Sequence, residues 1–291
     1  MPQDCHRALQ YFPEITEEIH RDMSRPYFEI ANLEIPKILD RLPRGLRVLD
    51  VGCGSGVHGA ELKRIHGHSV VGVDLSVASI DKARTRLDGA HVGDVTKPEQ
   101  YPFARVERFD VILFSDILEH LGDPSSVLAR HLFLLKPGGH VIVSLPNVAI
   151  WNVRFGLLFG NFNYQQTGTL DKTHLRFFTW KTTREMFEGV GLVLKRRRIT
   201  PGLARPFVPL VKSLYSKAGA SAEEADSASI MESTPYRLYC RFVYPLESLV
   251  CRLWPGLLAF QYVNLCQAVS VPDSVTDLHS DAIDEAVLRH G

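Results

Sequence analysis

The sequence has no excess of charge, no paired cysteines and no long apolar run. Its 291 residues carry 33 Lys and Arg against 33 Asp and Glu, so the overall charge attracts neither nucleic acid nor an anionic membrane. Five scattered cysteines without a C-x-x-C pair argue against a disulfide framework and a zinc knuckle. Without a long apolar span or a basic-then-apolar leader, the chain is expected to be cytoplasmic.

A regular alternation of short β-branched runs and longer amphipathic stretches is present between Leu46 and Pro146. This alternation predicts parallel βαβ units with right-handed crossovers. The predicted order is an N-terminal helical cap over 1–45, an α/β core over 46–200, a helical insertion over 201–256, a last core strand over 257–270 and a polar tail over 271–291.

A glycine-rich turn, DVGCGSG at 50–56, directly follows the first predicted strand and precedes a helix. Glycines let the backbone turn tightly and let a ligand approach the main chain. The dinucleotide fingerprint G-x-G-x-x-G would need glycine where the chain has Val57, and Asp50 would place a carboxylate beside a bound pyrophosphate. A cationic ligand without phosphate suits the turn better, and S-adenosylmethionine, with its sulfonium and ammonium groups, is such a ligand.

Two more carboxylates follow the next two predicted strands. Asp74 ends the second strand, where a carboxylate can accept hydrogen bonds from both ribose hydroxyls of a nucleoside. Asp94 follows the third strand and is placed to meet the adenine amino group. Both positions therefore fit a ligand that contains adenosine.

Five ordered motifs resemble those of the class I S-adenosylmethionine-dependent methyltransferases: VLDVGCGSG, VVGVDLS, VGDV, FDVILFSDILEHLGDP and LLKPGGHVIVSLPN. The resemblance covers about residues 45–200 and implies an α/β, Rossmann-like, seven-stranded sheet of order 3-2-1-4-5-7-6 with strand 7 antiparallel. It also implies S-adenosyl-L-methionine as the cofactor. The cofactor-binding residues would be Asp50, Gly52, Gly54, Gly56, Asp74, Leu75, Asp94, Val95 and Ser115.

Methyl transfer from a sulfonium needs mainly alignment, plus a base when the acceptor is a hydroxyl. Asp116, Glu119 and His120 follow the fourth strand at positions i, i+3 and i+4, which share one face of a helical turn. His174 lies in an aromatic acceptor segment over 147–180. We predict Glu119, His120 and His174 as catalytic residues; alternatively, Glu119 and His120 only hydrogen-bond the turn before the next helix.

The same acceptor segment supplies candidate substrate-binding residues. Tyr164, Asp171 and Arg176 are predicted to contact a small-molecule acceptor, and Arg176 would hold an anionic group or pair with a carboxylate. The segment is similar to that of methyltransferases from bacterial glycan, lipid and natural-product pathways.

The acid-x-x-Glu-His run together with His174 resembles the metal-binding set of small-RNA 2′-O-methyltransferases, and the shorter run resembles polyprenyl-quinol O-methyltransferases. Those families carry Glu where this chain has Asp116, so a metal is not favoured. If a divalent metal is bound, the resemblance gives Asp116, Glu119, His120 and His174 as its ligands.

The expected function is methyl transfer to a hydroxyl of a small molecule or of a lipid- or sugar-linked intermediate. Three alternatives stay open: a metal-dependent RNA ribose 2′-O-methyltransferase, a small-molecule N-methyltransferase, and an NAD-binding oxidoreductase or regulator. The neutral charge disfavours nucleic acid. Within 236–254, an apolar stripe lies opposite Arg237, Arg241 and Arg252, which predicts that 203–254 is a lid, a homodimer contact or a peripheral membrane contact. The stripe consists of Tyr239, Phe242, Val243, Leu246, Leu249, Val250 and Leu253.

Overall fold

The structure is a computed structural model that describes residue 32, residues 34–203 and residues 238–270, with no side-chain description for residues 239–240. Most of the predicted N-terminal cap, the first part of the insertion with Arg237, and the tail lie outside the described residues. Among the described residues, no helix is both long enough and apolar enough to cross a lipid bilayer.

A twisted sheet of seven strands organises the described residues. Its order is β3-β2-β1-β4-β5-β7-β6, and β7 runs antiparallel to both β5 and β6, while the other pairs are parallel. The predicted fold class and strand order are therefore confirmed. The strands are β1 (Arg47–Val51), β2 (Ser69–Asp74), β3 (Gly89–Val92), β4 (Phe109–Ser115), β5 (Leu135–Pro146), β6 (Leu192–Pro201) and β7 (Ala259–Ala268).

Helices connect the strands and cover both faces of the sheet, as parallel strand neighbours require crossover connections. They are α1 (Glu34–Leu39), α2 (Val57–His66), α3 (Val77–Ala83), α4 (Pro124–His131), α5 (Trp151–Leu158), α6 (Trp180–Gly189), α7 (Tyr244–Leu253) and α8 (Pro255–Leu258). A π-helical turn, Tyr239–Val243, leads into α7, and 3₁₀ turns include Leu118–His120.

The central strand β4 shows how the sequence builds two cores at once. Its side chains alternate between the faces, so Ile112 and Phe114 join one buried cluster while Val111 and Leu113 join the other. Residues of α4 and α6 complete the first cluster, and residues of α1, α2 and α3 complete the second. A strand buried on both faces reads as an unbroken apolar run, which is why β4 is easy to recognise.

The described part of the insertion differs from expectation in its apolar face. The structure buries Glu247 and Cys251 of α7 and leaves the predicted stripe, including Leu246, Leu249 and Leu253, exposed. Phe242 and Val243 of the π-helical turn before α7 are exposed as well, so the stripe stays on one face of the segment, and this face is turned away from the sheet. The last strand also begins later than predicted, because residues 255–258 form a helical turn.

The basic run Lys195–Arg198 lies on β6, and two of its arginines contact other elements of the fold. The Arg197 guanidinium lies 4.1 Å from the Trp180 ring centre and donates from Nε to Asn264 Oδ1. Arg198 donates from Nε to Glu34 Oε2 at 2.5 Å. Alternate side chains of an edge strand point to opposite faces, so these two arginines bind different helical layers.

Candidate active site

The glycine-rich turn lies at the carboxyl end of β1. Gly52, Gly54 and Gly56 have φ of 71°, 52° and 80°, a region that L side chains rarely adopt. The amide nitrogens of Gly52 and Cys53 donate to the carbonyl oxygen of Val73 at 2.8 and 3.0 Å, which fixes the turn against β2. The backbone here is therefore held in a shape that leaves the main chain open to a ligand.

The turn touches the segment that follows β4. A Cβ atom at Gly52 would lie 2.8 Å from Cγ1 of Ile117, inside van der Waals contact. The predicted cofactor turn and the predicted acid-base segment 116–120 are therefore neighbours at the same sheet edge, as the carboxyl ends of adjacent parallel strands should be.

Asp74 links the turn to the start of α3. Its Oδ2 accepts a hydrogen bond from Gly54 N at 2.9 Å, and its Oδ1 accepts one from Ser76 N at 2.8 Å. Each carboxylate oxygen has two lone pairs, so each keeps one acceptor site beyond these bonds. The predicted contact with ribose hydroxyls uses those remaining sites.

Asp94 is similarly fixed after β3. Its Oδ1 accepts from both the amide nitrogen and the hydroxyl of Thr96, at 2.8 and 2.7 Å, and its Oδ2 lies 3.5 Å from Lys97 Nζ. Burial acts to raise the pKa of Asp94, but the hydrogen bonds from Thr96 and the charge of Lys97 outweigh burial and lower it. Asp94 is therefore an ionised acceptor.

Asp50 lies beneath α2 and not on the wall of the crevice. Only 1% of its surface is exposed, and a Cβ atom at Gly59 of α2 would lie 3.3 Å from its Oδ2. A contact between the Asp50 carboxylate and the cofactor stays a prediction. Of the other predicted cofactor residues, Leu75 is exposed, Val95 is half-buried, and Ser115 is buried beside Ser144.

His120 is held by the loop that contains Thr173. Its Nδ1 lies 3.2 Å from the carbonyl oxygen and 3.1 Å from the hydroxyl of Thr173. A carbonyl oxygen only accepts hydrogen bonds, so Nδ1 carries the proton and Nε2 keeps its lone pair. Burial lowers the pKa of His120 to about 4, with a smaller contribution from His174, so the ring is neutral at physiological pH.

His174 has the same arrangement on the facing side. Its Nδ1 lies 3.2 Å from the carbonyl oxygen of Thr169, and its ring centre lies 4.8 Å from that of His120. Burial lowers the pKa of His174, against the raising effect of Asp171. Two neutral imidazoles with unprotonated Nε2 atoms thus come together, although they come from distant parts of the sequence.

Glu119 completes the cluster in the 3₁₀ turn after β4. Its backbone oxygen accepts from the amide nitrogens of Leu175 and Arg176 at 2.8 and 3.0 Å, which joins this turn to the histidine loop. Only 1% of the residue is exposed, and its Oε2 has no hydrogen-bond partner among the described residues. Burial, with the charges of Asp116 and Asp171, raises its pKa well above the usual value.

These three residues form a candidate metal centre. One ligand atom from each of Glu119, His120 and His174 lies within 4.8 Å of the other two. Asp116 is not in this group, because its Oδ1 accepts from Ser144 Oγ at 2.9 Å and from Gln261 Nε2. Asp116 also has a left-handed backbone, with φ of 53°. Three of the four residues named by the resemblance therefore converge.

The hydrogen bonds of Glu119 and His120 run to the loop 173–176, while another residue caps the following helix. The next helix, α4, is capped by Asp123, whose side chain accepts from Ser126 N at 3.0 Å. His120 instead contacts Thr173, and Glu119 contacts the same loop through its backbone. The turn before α4 therefore does not account for these two side chains.

Two of the predicted substrate-binding residues, Asp171 and Arg176, form hydrogen bonds with neighbouring parts of the chain. Arg176 donates from Nε and Nη2 to the carbonyl oxygen of Gly122 at 2.9 and 2.6 Å, and its contact with an anionic group of the acceptor stays a prediction. Asp171 is buried and accepts from the amide and hydroxyl of Thr173 at 2.8 and 2.7 Å. Tyr164 remains exposed beside Phe162.

Thr173 and Gln261 were missed by the sequence analysis. The run Asp171-Lys172-Thr173 contains an Asx-type turn, in which an Asp side chain accepts from the amide two residues on, and this pattern could have indicated Thr173. Gln261 lies in the middle of an apolar strand, and its contact with Asp116 spans 145 positions of sequence. No local pattern indicates such a contact.

An α/β sheet of this order, with a glycine turn and a cluster of polar groups at its carboxyl edge, belongs to the Rossmann-like class, whose members bind their ligands at this edge. Residues 20–196 match the model of the family described as "Methyltransferase domain", and the chain belongs to this family. The NAD-binding alternative is thereby overturned.

Curated relatives match a shorter stretch. The ubiquinone biosynthesis O-methyltransferase of Thiobacillus denitrificans is 38% identical over 127 residues, which is 42% of this chain and 54% of that protein. The protein of the same name from Proteus mirabilis is 34% identical over 132 residues, covering 42% and 52% of the two chains. The chain thus spans about half the length of these relatives.

One solved structure of low identity is a methyltransferase. The phosphoethanolamine N-methyltransferase 2 of Haemonchus contortus, solved in complex with S-adenosyl-L-methionine, is 19% identical, with a TM-score of 0.49 over 82% of this chain and 52% of that one.

Proposed function

We propose that the protein transfers a methyl group from S-adenosyl-L-methionine to a hydroxyl of a small molecule or of a lipid- or sugar-linked intermediate. The observation that carries this proposal is the contact between Gly52 and Ile117, which brings the cofactor turn beside the segment of Glu119 and His120. The family membership and the O-methyltransferase names of the relatives support it.

The residues at the turn fit this cofactor. The turn has no side chain at Gly52, where a Cβ would clash, and Asp74 keeps acceptor sites for hydroxyl groups. No Lys or Arg lies within the turn, which suits a ligand without phosphate. When bound, the cofactor supplies a methyl group activated by its sulfonium.

The protein itself supplies a general base, whose orientation is fixed by hydrogen bonds. The Nε2 atoms of His120 and His174 are unprotonated near neutral pH and can accept the proton of an acceptor hydroxyl. The Nδ1 hydrogen bonds to the carbonyls of Thr173 and Thr169 fix both tautomers. A hydroxyl acceptor needs such a base, whereas an amine with a free lone pair does not.

The test compares the two kinds of acceptor. Purified protein would be incubated with S-adenosylmethionine and either 4-nonylcatechol or dodecylamine, and the products identified by mass spectrometry. We expect a methyl ether of the catechol, and a His174→Ala variant that loses turnover more than affinity for S-adenosylhomocysteine. Methylation of the amine alone would contradict the hydroxyl acceptor, and equal loss of turnover and affinity would contradict the role of His174.

A metal-dependent form of the same reaction is the second candidate, because Glu119, His120 and His174 converge. Two imidazoles and a carboxylate suit a divalent ion such as Zn²⁺ or Mn²⁺, which would act as a Lewis acid toward the acceptor oxygen. Calorimetry with Zn²⁺, Mn²⁺ and Mg²⁺ tests the site directly. Metal binding that disappears in His174→Ala but persists in His91→Ala would support the metal site. If none of the three ions binds, the metal-dependent form of the reaction is refuted.

A peripheral membrane contact through α7 fits an apolar acceptor. The helix exposes Leu246, Leu249 and Leu253 next to Arg252, and Trp254 follows at its end, a composition that suits a lipid interface. A homodimer contact would bury the same face. Cosedimentation with vesicles of phosphatidylglycerol separates the two: Leu253→Glu should abolish it, while protein that stays in the supernatant as a dimer would contradict membrane contact.

A further inference from the structure

A cavity of about 390 Å³ lies between α1, β6 and α7, apart from the glycine turn. Its lining includes Lys37 from α1, Arg198 from β6, and Ser248 and Arg252 from α7. None of these residues belongs to the cofactor crevice or to the histidine cluster. Neither the methyl-transfer chemistry nor the matched motifs use them.

The cavity carries an excess of positive charge. Its lining has three cations, Lys37, Arg198 and Arg252, and one carboxylate, Glu34, which leaves a net charge of +2. Burial acts to raise the pKa of Glu34, but hydrogen bonds and charge from Lys37 and Arg198 outweigh it, so the carboxylate is ionised. Even with Glu34 ionised, an anionic ligand of charge −2 would balance the lining.

Glu34 orients the cations and is itself fully engaged. Its Oε1 accepts from Lys37 Nζ at 2.8 Å and from the Tyr244 hydroxyl at 3.0 Å, while its Oε2 accepts from Arg198 Nε at 2.5 Å. Lys37 has three donors and Arg198 has five, so most of their hydrogen-bonding capacity remains after these bonds. The carboxylate therefore positions donors around the cavity.

A buried hydroxyl also lacks an acceptor. Ser248 Oγ is buried and has no hydrogen-bond partner among the described residues, although buried polar atoms are nearly always paired. It lines the same cavity as the three cations. Rotation about the Cα–Cβ bond of Ser248 would bring this hydroxyl to a ligand oxygen in the cavity.

The remaining wall is apolar. Pro245 and Leu249 line the cavity, and Leu249 is 60% exposed. A phosphate group offers several acceptor oxygens, which match donors arriving from separate elements, and arginine binds such groups through paired hydrogen bonds. The volume exceeds that of a bare phosphate and leaves room beside the apolar wall.

We propose that this cavity binds a phosphate monoester whose organic part is apolar. The dianionic phosphate lies among Lys37, Arg198, Arg252 and the Ser248 hydroxyl, and the organic part lies against Pro245 and Leu249. A soluble ester and a lipid headgroup such as phosphatidic acid share this chemistry. The site is independent of the proposed methyl transfer, since it shares no residue with the crevice.

Calorimetry with hexyl phosphate tests the site. We expect saturable binding to the wild-type chain and about tenfold weaker binding for Arg252→Gln, the loss typical of one charge-assisted hydrogen bond. Ser248→Ala should weaken binding without removing charge. Arg241→Gln is the matched control, because Arg241 is exposed and does not line the cavity. Affinity for S-adenosylhomocysteine should be unchanged in all three variants, which also verifies their folding.

Three results would each overturn the proposal of a phosphate site. No saturable binding of hexyl phosphate, equal weakening by Arg241→Gln, or equal affinity for hexanoate would each refute the proposal. The source of the phosphate is decided with vesicles of phosphatidylcholine with and without phosphatidic acid. Cosedimentation that needs phosphatidic acid and is competed by hexyl phosphate assigns the site to a lipid headgroup, whereas hexyl phosphate binding without cosedimentation assigns it to a soluble ester.

Discussion

His120 is joined to Asp171 through the hydroxyl of Thr173. The Thr173 Oγ1 lies 3.1 Å from His120 Nδ1 and 2.7 Å from Asp171 Oδ1. The Thr173 hydroxyl donates to Asp171 Oδ1, so its oxygen can accept from His120 Nδ1. Thr173 thus lies between the Asp171 carboxylate and the His120 ring.

The first prediction concerns this hydroxyl. Thr173→Val should lower turnover of 4-nonylcatechol about tenfold, because residues that orient a functional histidine typically contribute tenfold to a hundredfold. Affinity for S-adenosylhomocysteine should not change. Thr173→Ser keeps the hydroxyl and should restore most of the turnover. Equal turnover of the Val and Ser variants would show that the hydroxyl has no part in orienting His120.

The second prediction separates the cost of backbone strain from the cost of a steric clash by comparing two glycines. Gly52 and Gly67 both have left-handed φ, 71° and 64°, but only a Cβ at Gly52 would meet another residue, Ile117. Gly67→Ala should cost only the strain of an alanine in this region, about 1 kcal/mol of unfolding free energy. Gly52→Ala should cost more and weaken S-adenosylhomocysteine binding, as measured by denaturant unfolding and calorimetry. Equal losses of unfolding free energy in both variants would contradict the close contact between Gly52 and Ile117.

The elements that could be predicted from the sequence are those with local causes. The glycine turn and Asp74 lie within one strand-turn-helix pattern, so their positions follow from neighbouring residues. The pairing of His120 with Thr173 spans 53 positions and depends on how two loops meet above the sheet. Local patterns contain no information about such a meeting, although they could identify each histidine as a candidate.

The insertion was harder to predict for a different reason. An apolar stripe predicts that one helix face is buried, but it does not indicate whether the sheet or an external partner covers it. The structure packs Cys251 inward and leaves Leu253 82% exposed. Arg176 illustrates the same limit for charge, since its side chain donates to the carbonyl oxygen of Gly122, a contact 54 positions away that no local pattern indicates.

The third prediction concerns the proposed ribose contact. Asp74→Ala should weaken binding of S-adenosylhomocysteine about thirtyfold, which corresponds to about 2 kcal/mol for hydrogen bonds to a charged acceptor. Asp81→Ala is the control, because Asp81 lies on the exposed side of α3 and pairs only with Arg84 among the described contacts. The Asp74 carboxylate also ties the turn to α3, so thermal unfolding of the variant should be measured beside calorimetry. Unchanged affinity for S-adenosylhomocysteine would refute the assignment of Asp74.

The fourth prediction is a loss of stability in mild acid that originates at buried histidines. His131 is fully buried, its Nδ1 lies 2.8 Å from the carbonyl of Val127, and burial lowers its pKa to about 4. Below pH 6.5 the unfolded chain protonates this ring while the folded chain does not, so stability is present at neutral pH and falls between pH 6.5 and 4. We expect His131 to contribute about 2 kcal/mol to the fall in unfolding free energy between pH 7 and pH 5. Urea unfolding of the wild type and His131→Gln at both pH values measures the difference. An equally steep fall in the variant would show that His131 is not a source of the acid sensitivity.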